Sequence, residues 1–272
     1  MDPGVPRSLP RKPAYCLVSR TLKQQAVDGL ALSPLPFLFL PAVTGGCLRA
    51  RREAIVDVGL HSTAGWMREA AIGVGLGAAL MLLVAGLIVA TGGAHVRLNA
   101  DWSLTSLLSG AWVVLWEELL FRGFVFQRLI DGVGALAAIA VSAGLFAVAH
   151  GGGNPGLDGT ACVVATVDTA LGAVLLGLAY PRTGRLALPI GIHFGWHWAQ
   201  GSVLGFDVSG AEHAGWLLPE LTGRPQWFAG RDFGPEASIF AVLVDATAVL
   251  LMRRWKAQSG NGLLAVPASA AA

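Results

Sequence analysis

The stretch Leu104–Phe126 (LTSLLSGAWVVLWEELLFRGFVF) constrains this chain more than any other: it is apolar enough for a membrane helix, yet it carries two adjacent acids. Backbone inside a bilayer must satisfy its own hydrogen bonds, and about 20 apolar residues suffice for a helix to cross. A charged side chain near the centre of that helix costs roughly 2.5–3.5 kcal/mol on insertion scales, so Glu117 and Glu118 are functional candidates by default. Glu118 and Arg122 stand at i and i+4 and can neutralise each other on one helix face. Successive helical residues point about 100° apart, which leaves Glu117 unpaired.

Composition agrees with a membrane setting. The chain has 272 residues, 54% hydrophobic and only 13% charged, against the roughly 25% charged of soluble domains. The expected fold class is all-α, a polytopic transmembrane helix bundle of six to seven spans. A net charge of +2, with no basic cluster interleaved with aromatics, argues against a nucleic-acid partner. Cys16, Cys47 and Cys162 have neither pairing nor metal-ligand spacing.

Six spans are expected at about 70–92, 104–127, 134–150, 160–180, 186–206 and 237–252. The polar, basic residues 1–28 give no sign of a cleavable signal peptide. Leu30–Val43, interrupted by Pro34, Pro36 and Pro41, reads as an interfacial or re-entrant segment. One set of loops holds Arg49, Arg51, Arg52, Arg68, Arg128, Arg182, Arg185, Arg253, Arg254 and Lys256; the other holds Arg97, Arg224 and Arg231. The positive-inside rule therefore predicts a multi-pass protein of the cell membrane with a cytoplasmic C-terminus. The organisation expected is a basic N-terminal segment at 1–65, a transmembrane domain at 66–256 and a disordered tail at 257–272. Trp216 and Trp227 in the 207–236 loop read as interfacial anchors.

The remaining polar groups fall at telling places. His150 ends the apolar run Leu136–His150, and the break Gly132-Val133-Gly134 lies midway between it and Glu117. If that break turns two antiparallel helices, both residues stand about 24 Å from the turn and face each other. His193 and His197, at i and i+4, project from one helical face and can offer two metal ligands or two hydrogen-bond donors to one point. Asp168 and Asp245 could pair with neighbours or line a cavity. Gly172 and Gly177 read as close helix contacts. There is no Gly-x-Ser-x-Gly elbow and no His-Glu-x-x-His segment.

Three motifs in order carry a resemblance: Glu117-Glu118-Leu-Leu-Phe-Arg122, Phe146-Ala-Val-Ala-His150 and His193-Phe-Gly-Trp-His197, the last approached through Thr183-Gly184-Arg-Leu and Ile190. Over about Trp66–Ser202 the chain resembles the CPBP (CAAX prenyl endopeptidase, or Abi-type) family of intramembrane proteases. It departs from that family at His197, where Asn or Asp is usual. The resemblance implies hydrolysis of a peptide bond in a membrane-associated protein or peptide. Glu117 would activate water, His150 would share or orient it, His193 and His197 would stabilise the oxyanion, and Glu118 with Arg122 would hold their helix.

A metal version uses the same residues differently, with zinc as the possible cofactor and His150, His193 and His197 as possible ligands. Two other classes compete with an enzyme: an inactive family member acting as a scaffold or immunity-type protein, and a proton- or ion-coupled transporter. Intramembrane acids and histidines also mark ion pathways, but no second half repeats the first, as many transporter folds would show.

Overall fold

The computed structural model describes residues 34–60, 63–99, 105–151 and 156–255. The basic N-terminus and the tail expected at 257–272 lie outside the described residues. Two compact units divide between Cys47 and Leu48. Helix α1, Pro34–Arg51, starts in the first and ends in the second. Leu30–Val43 was expected to be broken by its prolines, whereas the backbone is helical from Pro34. Pro34 and Pro36 fall in the first turn, where N–H groups lack an intrahelical acceptor, so their missing donors cost little.

The second unit is mainly helical: α2 Ala64–Ala90, α3 Thr105–Arg122, α4 Phe124–Val133, α5 Ala135–Gly151, α6 Gly159–Thr183, α7 Ala187–His197, the short α8 Gln226–Ala229 and α9 Ile239–Arg254. Among the described residues, α2 and α6 are long and apolar enough to cross a membrane, and α5 is a shorter apolar helix. Large side chains such as Leu136 and Val148 on α5 and Leu243 and Leu251 on α9 lie exposed. An outward apolar surface of this kind suits lipid better than water.

Two features differ from an unbroken all-α bundle. The span expected at 104–127 breaks at Gly123, the residue between α3 and α4, where a Cβ would collide with the Leu119 carbonyl oxygen. Strand β1, Ala94–Leu98, also pairs antiparallel with β2, Leu217–Leu221, in the register Ala94 to Leu221. Gly92, in a left-handed conformation, turns the chain from α2 towards β1.

Glycine sets the tightest packing. α2 and α7 run side by side, with Gly73 and Gly77 against Gly191, Ile192 and Trp196, and Gly195 against the Val74 backbone. This small-x-x-x-small pattern lets helix backbones touch. α7 then continues into a π-helical turn, Trp198–Val203, a distortion found often at functional sites.

The loops sort into two ends. Gln127 donates to the Val58 carbonyl, Arg128 meets Glu53, Arg185 pairs with Glu69 at 2.6 Å, and Arg182 donates to the Met252 and Arg253 carbonyls. At the other end Thr222 bonds the Gly92 and Gly93 carbonyls and Gln226 bonds Gly156. The Arg-rich loops therefore share one end, and β1, β2 and the 204–238 segment share the other.

Candidate active site

Gly134, in a left-handed conformation, separates α4 from α5 by one residue and reverses the chain. The Ser142 hydroxyl donates to the Phe121 carbonyl at 3.0 Å, and the Phe121 and Phe146 rings meet edge-on at 4.8 Å. Continuing that antiparallel register brings Glu117 level with His150. Glu117 Oε1 lies 3.5 Å from His150 Nε2, and Glu117 Oε2 lies 3.7 Å from His193 Nε2. The juxtaposition expected from the glycine turn is present.

Each imidazole is oriented from behind. His150 Nδ1 donates to the Phe146 carbonyl at 2.9 Å, and its ring stacks on Phe146 at 4.1 Å. His193 Nδ1 donates to Glu118 Oε1 at 2.8 Å. A carbonyl and a carboxylate paired with Arg122 can only accept, so both Nδ1 atoms carry the ring proton. Both Nε2 atoms are left to face Glu117. Glu117 Oε2 is buried and has no hydrogen-bond partner among the described residues.

Glu118 and Arg122 are both fully buried and pair at 3.0 Å. Arg122 also donates to the Ala173 carbonyl on α6 at 3.1 Å and stands 4.9 Å over the Phe146 ring. The pair therefore does more than brace its own helix. One Glu118 oxygen serves both Arg122 and His193, linking α3, α6 and α7. His197 is partly buried, and its ring lies edge-on to His193 at 4.6 Å between centroids.

A cavity of about 70 Å³ opens beside these groups, lined by His150, His193 and His197 together with Asp168, Asp245, Ser209 and Glu236. That is room for several waters. Ser209 and Glu236 carry no sequence signal, since both lie in a polar loop without periodicity. Among the described residues no three or more His, Cys, Asp or Glu side chains are gathered to hold a metal ion. The two Nε2 atoms and the Glu117 carboxylate nonetheless have the donor chemistry of a metal or water site.

The geometry coincides with a family match. The model of the Rce1-like family, type II CAAX prenyl endopeptidases, matches residues 99–199. This stretch is similar to that family. The Rce1-like segment contains Glu117, Glu118, Arg122, His150, His193 and His197, and it agrees with the CPBP resemblance of the three motifs. At the family level it supports a membrane-embedded CAAX-type protease. No curated protein and no solved structure matches the chain.

Proposed function

We propose that the protein is an intramembrane endopeptidase of six to seven spans in the cell membrane, acting on a membrane-associated protein or peptide. The observation that carries this reading is the convergence of two pre-oriented Nε2 atoms on the Glu117 carboxylate. A water in the adjoining cavity would donate one hydrogen bond to Glu117 and the other to an Nε2. Its oxygen would then attack the scissile carbonyl as Glu117 takes the proton. His197 would donate to the forming oxyanion, His193 would join it once its Nε2 is protonated, and protonated Glu117 returns its proton to the leaving amine. Glu118 and Arg122 are positioning residues, acting through His193 and the helices they join.

Zinc is the competing reading: His150, His193 and His197 would hold it, and it would supply Lewis-acid activation of water and carbonyl. His197→Asn separates the two. If His197 only donates a hydrogen bond, Asn still donates one, and most of the activity remains. Removing such a donor altogether costs about 10²–10³ in rate. The assay is cleavage of single-span peptides by purified protein in lipid, with metal content measured alongside. Retained cleavage without stoichiometric metal in either protein is the expected result. Stoichiometric zinc lost together with activity in the variant would overturn the glutamate mechanism.

A further inference from the structure

Beyond Glu117 the cavity holds a second set of acids that the proposed chemistry does not use. Asp168 on α6 and Asp245 on α9 are each only 4% exposed, and Glu236, in the turn before α9, is 8% exposed. All three line the cavity that also holds His150 and His193. Gly172 lies one helical turn after Asp168, and a Cβ there would stand 3.3 Å from Asp245 Oδ2. Glycine thus admits the Asp245 carboxylate against α6, on the face that carries Asp168.

These acids are not equally satisfied. Glu236 accepts from the Ser209 N–H at 2.7 Å and from the Ser209 hydroxyl at 3.1 Å. Asp168 Oδ1 and Asp245 Oδ1 are buried without a hydrogen-bond partner among the described residues. An unpaired buried carboxylate costs several kcal/mol, and it is relieved by taking up a proton or by a positive partner. The described lining residues supply no Lys or Arg. The histidines nearest the reaction, His150 and His193, have their Nδ1 atoms committed and their Nε2 atoms turned to Glu117. A ligand that brings its own positive charge can supply the missing partner. Among the described residues no three acids or histidines converge closely enough for a metal ion, whereas an alkylammonium at the end of a flexible chain can reach acids spread along a wall. Phe146 and Trp196 in the same wall can flank such a group.

We infer that Asp168, Asp245 and Glu236 form a subsite for a basic side chain of the substrate, close to the bond that is cut. This rests on the protease reading and narrows it: the preferred substrate is a membrane segment with a lysine near the scissile bond.

The test uses the full-length protein in lipid nanodiscs and single-span peptides that carry Lys, or neutral norleucine, at successive positions. Binding is read by fluorescence anisotropy, and cleavage is read by mass spectrometry in the same samples. The expected result is at least about tenfold tighter binding of Lys over norleucine at one position, a difference of roughly 1.4 kcal/mol. Asp168→Asn and Asp245→Asn should each bring that ratio close to one, with thermal unfolding reporting whether each variant is folded. Should either variant fail to fold, the Lys and norleucine series on the unaltered protein decides alone. Equal binding of the two series overturns the subsite, and so does stabilisation by calcium chloride equal to that by the Lys peptide. A Lys preference in binding without cleavage supports the subsite and removes the protease reading. Cleavage without a Lys preference does the reverse.

Discussion

Adjacent residues 117 and 118 carry the same side chain and are put to different uses by what surrounds them. Glu118 is enclosed by Arg122 and His193, while Glu117 keeps an oxygen with no hydrogen-bond partner among the described residues, beside two imidazoles. The i, i+4 spacing made the Glu118–Arg122 pair legible in the sequence. The His193 contact to Glu118 was not legible, because it depends on how α7 packs against α3. Glu236 shows a different balance, in the loop. Burial pushes its carboxyl above the ordinary value of 4.5, with Ser209 opposing. A raised folded value means that its contribution to stability is full below the ordinary value and is lost as pH rises through the raised one. Glu236→Gln keeps an acceptor for Ser209 and cannot ionise. Its unfolding temperature relative to the parent should therefore climb between acidic and neutral pH, and a difference that stays flat with pH would contradict this.

At the scale of elements, two glycine pairs fix where the histidines stand. Gly191 and Gly195 flank His193 on α7, and α2 answers with Gly73 and Gly77. Gly195→Val would drive a side chain into the Val74 backbone, where overpacking costs about 1–3 kcal/mol or more. Gly75→Ala, on the same α2, meets nothing within 4 Å. Thermal unfolding in detergent should show a large loss for the first and almost none for the second; comparable losses would remove the packing account. The midpoint turn at residues 132–134 was visible in the sequence, whereas these four glycines stand out only once α2 and α7 are seen to pack. The break at Gly123 and the β1–β2 pair were not visible either. A glycine inside an apolar run is compatible with a continuous helix, and five-residue strands carry too little periodicity to stand out.

At the scale of the molecule, alternating loops give two chemically distinct ends. Contacts among Gln127, Arg182, Arg185 and their partners gather the Arg-rich segments at one end. The charge bias predicts that this end is cytoplasmic. In a background without the native cysteines, Glu220→Cys should react with an impermeant maleimide in intact cells, and Arg253→Cys only after lysis. The opposite pattern would invert the topology. Charge alone gives the orientation that this labelling tests. The position of the cavity was not legible in the sequence, because Ser209 and Glu236 reach it from a loop whose path only the fold determines.

The most direct test of the central claim measures proteolysis and thermal unfolding of Glu117→Gln and Glu118→Gln side by side. Gln at 117 keeps the shape but cannot take a proton from water, so cleavage should fall by at least about 10²-fold while unfolding stays near that of the parent. Gln at 118 strands the buried Arg122 and loosens His193, so both cleavage and stability should fall, the latter by about 3–5 kcal/mol. Equal, mild effects of the two substitutions on cleavage would contradict the account, because Glu117 would not then be the base.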